Sequence, residues 1–379
     1  MPRPASVRAL LADRWSAPVT VEGWERLEPW AVARLRLGGD AAHPTVIVKW
    51  TRSGRSRTRT DGWRLSTEVA ALRFLSDDLR LGLGPAVVAE DLAAGYAVLE
   101  DLAPRVPLAG LLRRDGAAAH SGRLAAFARA LGELGAATAG HVRTYDARRA
   151  GIAPARPGVE RTADLGGLGG LRGGEFRPAP PPVPPVGGRA AAELSSVIDE
   201  LTEPGPFLSL SNGDPEANNV LVHESGPADA RLIDFESAAY GHALTDAVCL
   251  HVPGPAWMSV GDPADAGLDV HYRTALARGI PEAEDDRRYG FGLAAACMSW
   301  ALLRLRRFSL LDARTPGDDS RAQLVGTLES AARTAEFHRA LPHLAGWVRR
   351  AAGVLRRRWP DADRELTGSA GVPPYTPRR

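Results

Sequence analysis

The sequence predicts an α+β fold with a small, strand-rich first part and a larger, mostly helical second part. Three observations predict it. Between residues 24 and 99, short runs alternate apolar and polar residues and are separated by turn residues. From residue 245 onward, apolar residues recur at helical spacing. Between the two parts, residues 211–222 form a loop rich in oxygen-bearing side chains that feeds a short apolar strand. A turn at 224–227 and a second strand follow, ending in Asp234 and Glu236.

The first element, residues 1–20, reads as a helix and a turn with no assigned role. Residues 32–37 alternate as a half-buried strand, closed by the turn Gly38-Gly39-Asp40. Residues 45–50, Thr-Val-Ile-Val-Lys-Trp, form the next strand. A basic loop over 52–64 leads into an amphipathic helix at 66–75 that contains Glu68. Strands follow at 86–90 and 96–99. An alanine-rich helix at 121–140 precedes a Gly/Pro-rich stretch, 164–189, whose composition cannot pack a core. A helix at 190–201 and a strand at 207–211 lead to the loop, and helices are expected at 245–252, 264–278, 283–308, 319–339 and 341–358. Residues 361–379 read as a disordered tail.

Composition narrows the class. The 379 residues allow one large or two moderate domains. A 44% hydrophobic, 24% charged chain is ordinary for a soluble globular protein, and a net charge of +2 argues against a dedicated nucleic-acid binder. Cys249 and Cys297 lie far apart in apolar helical contexts and suit reduced thiols in a cytoplasm. The N-terminus lacks the shape of a signal peptide. The most apolar stretch, 291–305, is too short to span a membrane and runs into Arg304, Arg306 and Arg307. The expectation is a cytoplasmic monomer or weak homodimer with neither nucleic-acid nor membrane partners.

Among 47 lysines and arginines, Lys49 is the only lysine. An ammonium is a compact point charge and a guanidinium a broad fork, so the two differ at a tight phosphate site. The lone lysine has two readings, chance in an arginine-biased chain and a site that needs an ammonium. It is not the lysine of a P-loop, because Trp50 follows it where Ser or Thr is required. The hairpin brings Asp214, Asn219 and Asp234 to one end of a sheet. Asn and Asp offer the oxygen ligands that Mg²⁺ prefers, and a further carboxylate can take a proton from a hydroxyl. That combination suits phosphoryl transfer.

Asp214-x4-Asn219 followed by Ile233-Asp234-Phe235-Glu236 resembles the catalytic and metal loops of the aminoglycoside phosphotransferase family. The resemblance covers about residues 24–310. It implies a bilobal protein-kinase-like fold, with an N-lobe over 1–101 and a C-lobe over 102–360. It further implies ATP (or GTP) and Mg²⁺ as cofactors and phosphate transfer to a hydroxyl. By the resemblance, Asp214 is the base, and Asn219 and Asp234 hold the metal with help from Glu236. Glu68 fixes Lys49 on the nucleotide phosphates, and the backbone of Glu100 and Leu102 reads the adenine edge. For Glu68, a first-turn acid favoured by the helix dipole is the alternative.

Three departures stand out. The family begins its loop His-Gly-Asp, whereas this chain has Asn212-Gly213-Asp214. The loop that covers the phosphates corresponds to Arg26-Leu27-Glu28-Pro29-Trp30-Ala31, without glycine. After Glu236 the family continues Gly-Asp-Pro-x-x-Asp, whereas residues 241–246 keep Gly241 and the final Asp246, a candidate helix cap and brace, but not the Asp-Pro pair between them. Three functions stay open: phosphorylation of a small-molecule hydroxyl, phosphorylation of a peptide hydroxyl, and non-catalytic binding. The acids Asp262, Asp265, Asp269, Glu282, Glu284, Asp285 and Asp286 would suit a pocket for a cationic amino sugar or a solvated face. The arginines 349, 350 and 356–358 would suit an acidic partner or a solvated face.

Overall fold

The computed structural model describes residues 1–27, 30–52, 61–152, 183, 185–315 and 319–362. Residues 53–60 of the basic loop predicted at 52–64, most of the Gly/Pro-rich stretch and the tail beyond 362 lie outside these residues.

Helix α1 (Pro4–Trp15) leads into β1 (Val19–Arg26), β2 (Val32–Gly39) and β3 (Thr45–Trp50). Helix α2 (Gly62–Arg73) follows, then β4 (Val87–Asp91) and β5 (Tyr96–Glu100). The five strands form one antiparallel sheet in the order β1-β2-β3-β5-β4. Alternation along β3 decides which side chains face where. Val46, Val48 and Trp50 join Ala33, Leu35 and Val98 in a core closed by Val7 and Leu11 of α1. The first 20 residues therefore have a role that their own pattern did not give: α1 covers the outer face of the sheet. The opposite face carries Ile47, Ala97 and Leu99, which join the larger core beside Leu65, Val69 and Leu72 of α2. Lys49 pairs in register with Ala97 and lies on this inner face.

The larger part contains two small sheets among helices. In chain order it runs β6 (Val106–Pro107), α3 (Leu108–Asp115), α4 (Ser121–Thr138), α5 (Val142–Ile152), α6 (Gly188–Thr202), β7 (Leu208–Ser211), β8 (Val220–Val222), β9 (Ala230–Leu232) and β10 (Ala239–His242). The rest is helical: α7 (Leu244–Ala247), α8 (Asp269–Leu276), α9 (Asp286–Leu305), α10 (Phe308–Asp312), α11 (Asp319–Phe337) and α12 (Pro342–Arg358). Strand β8 pairs with β9 as the predicted hairpin, Val220 opposite Leu232, while β7 pairs with β10. Helix α6 begins at Gly188, inside the stretch read as an insertion.

Helix α4 underlies the loop that follows β7. The Thr138 hydroxyl accepts from the Leu210 amide at 2.9 Å, and the Thr138 carbonyl accepts from the Tyr240 hydroxyl at 2.9 Å. Gly132 lets α4 approach α8, because a Cβ there would lie 2.3 Å from the Tyr272 carbonyl oxygen. Helix α9 is buried along most of its length, as the apolar stretch 291–305 led us to expect. Among the described residues no helix is long and apolar enough to cross a membrane. On α12, Arg349, Arg356 and Arg358 pair with Glu336, Glu329 and Asp312 of the same chain.

Candidate active site

Strand β3 carries Lys49, one residue before its end, on the inner face of the sheet. Its Nζ donates to Glu68 Oε1 at 2.7 Å, to Glu68 Oε2 at 2.8 Å and to Asp234 Oδ1 at 2.8 Å. Glu68 is the seventh residue of α2 and is buried, so it is not a solvated first-turn acid. Burial alone works against the ammonium, but the charges and hydrogen bonds of Asp234 and Glu68 outweigh it. Lys49 is therefore held protonated well above the ordinary lysine range. Residues 185 positions apart in the chain thus meet across the gap between sheet and hairpin.

Asp234 has φ 63°, in the left-handed region that L side chains rarely occupy. Strain of this kind persists where the surroundings over-determine it, here through Lys49. The neighbouring loop is tied to the same strand end. Asn219 accepts at its carbonyl from the Ile233 amide at 2.9 Å. Its side-chain Nδ2 donates to the Asp214 carbonyl at 2.9 Å and to Asp214 Oδ2 at 3.0 Å. The Asn219 Oδ1 accepts from Asn218 at 2.9 Å. Loss of surrounding water and the negative charge of Asp234 raise the proton affinity of Asp214; the Asn219 hydrogen bond and the charge of Arg304 oppose this.

Asn212, the departure from His, is fully buried and bonded at both ends. Its Nδ2 donates to the Ile233 carbonyl at 3.2 Å, and its Oδ1 accepts from the Asp214 amide at 3.2 Å. The asparagine therefore links the loop to the strand that delivers Asp234. Gly213 has φ 85°, and a Cβ there would lie 2.4 Å from the Ser237 carbonyl oxygen, so the turn requires glycine. A second brace runs from Asp246, whose Oδ1 accepts from the Ser211 hydroxyl at 2.6 Å; that hydroxyl accepts in turn from the Gly213 amide at 2.9 Å. Asp246 lies within α7 and makes no cap. The bracing reading of Asp246 matches these contacts, and the capping reading does not.

Burial pushes the Asp246 carboxyl up to about 7, against the Ser211 hydrogen bond. The folded state then holds a proton that the unfolded chain releases near the ordinary carboxylate value. Stability from this group is complete in acid and is lost as pH rises from about 4 to about 7, by on the order of 4 kcal/mol. Asp246→Asn should flatten that part of the stability profile, as measured by urea unfolding at pH 5 and pH 7.5. An unchanged slope in the variant would remove Asp246 as its source.

The other predicted residues fall as follows. Glu236 pairs with Arg64 of α2 at 2.7 Å, so one of its oxygens is already engaged. Glu100 accepts from the Ala86 amide at 3.1 Å, and its own amide donates to the Ala86 carbonyl at 2.8 Å. Leu102 is buried and its carbonyl accepts from the Arg105 amide, while its N–H has no hydrogen-bond partner among the described residues. Between them, Asp101 makes a two-point ion pair with Arg34 of β2, at 2.7 and 3.2 Å. The linker is thereby fixed to the sheet. Of the loop at 26–31, residues 28 and 29 lie outside the described residues.

Two further residues belong to the site. Glu216, half-buried two positions after Asp214, has its carboxyl pushed up to about 8 by burial and by the charge of Asp214, against Arg304. The positive charge of Arg304, near the end of α9, favours the ionised form of both acids. Glu216 looks like any loop acid in the sequence. Arg304 sits in a basic run that sequence reading uses only to end an apolar helix.

The donor set fits Mg²⁺. Among the described residues no three His, Cys, Asp or Glu converge as a complete protein cage. Asn219 and Asp234 offer oxygen only, and Mg²⁺ characteristically takes one or two protein oxygens together with phosphates and water.

No protein-family model matches the chain, and no curated protein matches it. Solved structures do. A choline/ethanolamine kinase family protein from Mesorhizobium loti is 17% identical, with 93% of this chain and 99% of that chain covered and a TM-score of 0.49. Macrolide 2'-phosphotransferase MphH from Brachybacterium faecium is 15% identical over 84% and 97%, with a TM-score of 0.44. The streptomycin–ATP ternary complex of APH(2")-IIa is 13% identical over 82% and 94%, with a TM-score of 0.45. What the chain itself presents is an α+β arrangement in which a small antiparallel sheet carries Lys49 onto the acids of a hairpin in the larger, helical part.

Proposed function

We propose that this chain is a phosphotransferase that uses ATP and Mg²⁺ to phosphorylate a hydroxyl of a small molecule. One observation carries the reading: Lys49, Glu68 and Asp234 meet within hydrogen-bond distance, while Asp214 and Asn219 are tied to the same hairpin end. An ammonium, a proton acceptor and two oxygen donors around one gap are the parts that phosphoryl transfer needs.

In this reading the nucleotide lies beneath the sheet, with the Leu102 N–H toward the adenine edge and the Lys49 ammonium on the phosphates. Asn219 and Asp234 would hold Mg²⁺, which neutralises charge on the phosphates when bound. Asp214 orients the acceptor hydroxyl and takes its proton as the oxygen bonds to the γ-phosphorus. The bond from that phosphorus to the bridging β-oxygen breaks, and ADP leaves with the electron pair. The raised proton affinity of Asp214 favours this transfer.

The peptide-kinase alternative would use the Gly/Pro-rich stretch, mostly outside the described residues, and the basic last helix as peptide-binding surfaces; on that helix Arg349, Arg356 and Arg358 already have acidic partners. The non-catalytic alternative rests on Asn212 and on the glycine-free loop at 26–31; Asn212 makes both hydrogen bonds a loop brace requires, and residues 28 and 29 of the loop lie outside the described residues. Mg-ATP at about 100-fold over its Kd should stabilise the protein by about 2.7 kcal/mol. The Asp234→Ala variant should lose most of that gain and the slow hydrolysis of ATP by water. Equal stabilisation and hydrolysis in the variant would sink the assignment.

A further inference from the structure

A cavity of about 450 Å³ opens between the segment that follows α2, strand β9, helix α4 and the residues after α8. Three arginines line it, Arg80, Arg231 and Arg278, against one acid, Glu133. They come from stretches far apart in the chain, so the fold gathers this charge and no basic run in the sequence announces it. Much of the remaining wall is leucine and alanine, with Leu83 and Ala137 among it. None of the lining residues belongs to the candidate active site.

The acids closest in sequence to Arg80 and Arg231 are engaged elsewhere. Asp77 pairs with Arg73, Asp78 with Arg148, Asp229 with Arg105 and Asp234 with Lys49. Asp229 feels the charge of Arg231 without an ion pair to it. Among the described residues, the side chains of Arg80 and Arg231 make no hydrogen bond or ion pair of their own. Glu133 reaches only Arg278, at 3.9 Å and at the surface. Arg231 is half-buried, and its head lies against the segment that holds Arg80: a Cβ at Gly82 would sit 3.0 Å from Arg231 Nη1. A partly desolvated guanidinium with no acid beside it is costly unless an anion completes its hydrogen bonds. Arg80 itself has φ 58°, a left-handed backbone that L side chains rarely adopt and that collects at ligand sites.

We propose that this cavity is a second ligand site, which binds a small molecule carrying a phosphate or carboxylate group together with an apolar portion. Arg80 and Arg231 supply the charge-assisted hydrogen bonds to the anion, Arg278 adds to the field at the rim, and the leucine and alanine wall covers the apolar portion. The Leu232 amide donates to the Leu83 carbonyl at 2.8 Å, so the ligand sits on the strand that delivers Asp234. The proposal does not depend on the phosphotransferase reading, and its test involves no turnover.

The experiment is equilibrium binding of four probes to the full chain without nucleotide, read by ligand-observed NMR. The probes are phenyl phosphate, benzoate, benzyl alcohol and benzylamine, which share one ring and differ in charge. At least one anion should bind about tenfold or more tightly than benzylamine, because the guanidiniums reward one sign of charge and repel the other. The tighter of the two names the anion. Arg231→Gln should erase that preference. Arg80→Asn/Arg278→Gln should do the same at two exposed positions, the first of which keeps a residue that tolerates the left-handed backbone. Arg3→Gln/Arg8→Gln removes the same charge at α1, on the outer face of the sheet, and should leave the preference intact. Urea unfolding curves show which variants keep the fold. Benzylamine binding as tightly as the anions, or no binding of either anion, would overturn the proposal. So would a preference that survives either cavity variant in folded form, or one that the α1 variant also removes.

Discussion

Asp214→Asn should lower phosphate transfer to the acceptor by on the order of 10²–10⁴, the usual contribution of a general base, if Asp214 acts as proposed. The substitution keeps the size of the side chain and an oxygen for the hydrogen bond from Asn219, which donates to Asp214 Oδ2 at 3.0 Å. The loop has little reason to move, because Asn212 and Asn219 hold its backbone independently of the Asp214 carboxylate. Nucleotide affinity should therefore stay within about twofold while kcat falls. Steady-state kinetics with labelled ATP, together with a direct binding titration, separates the two quantities. A variant that transfers phosphate at the parental rate would show that Asp214 is not the proton acceptor.

Lys49→Met should both unfold the protein more readily and stop transfer. It leaves Glu68 buried and facing Asp234 with no cation between them. Removing one partner of a buried ion pair typically costs about 3–5 kcal/mol, because the other charge is left uncompensated. Replacing both members with apolar residues is often nearly neutral. The Lys49→Met/Glu68→Met double variant should therefore recover most of the lost stability in urea unfolding and none of the activity. Lys49→Arg keeps the charge but brings a wider planar head into a site closed on three sides by carboxylate oxygens, and should restore neither fully. Recovery of transfer in the double variant would remove Lys49 and Glu68 from the nucleotide site. A stability loss unchanged by the second substitution would show that the pair is not energetically coupled.

Much of the architecture was legible because it depends on local alternation. Strand β3 spans the residues its pattern marks, and the hairpin pairs as its turn residues imply. Lys49 stood out by composition, and Asp214, Asn219 and Asp234 by residue type and spacing. What could not be read was any neighbourhood created only by packing. The role of α1 depends on a sheet face that does not exist until five later strands pair. Arg304 lies 90 positions after Asp214, and its charge acts on that carboxyl only once α9 is packed into the fold. The diversion of Glu236 to Arg64 depends on where α2 docks. The acids gathered between 262 and 286 fit either a ligand pocket or a solvated face in the sequence, because spacing shows charge but not partners. In the structure, Asp262, Asp269, Asp285 and Asp286 are committed to arginines, a tyrosine and a helix start.

The asparagine at position 212 has a consequence for how the loop meets acidification. A histidine, whose unperturbed pKa is about 6.5, exchanges an acceptor for a donor as it gains a proton. An amide does not. Its two hydrogen bonds, to the Ile233 carbonyl and from the Asp214 amide, keep the same polarity from pH 5 to pH 8. This link between loop and strand is therefore indifferent to the proton supply, even though the carboxylates around it are not.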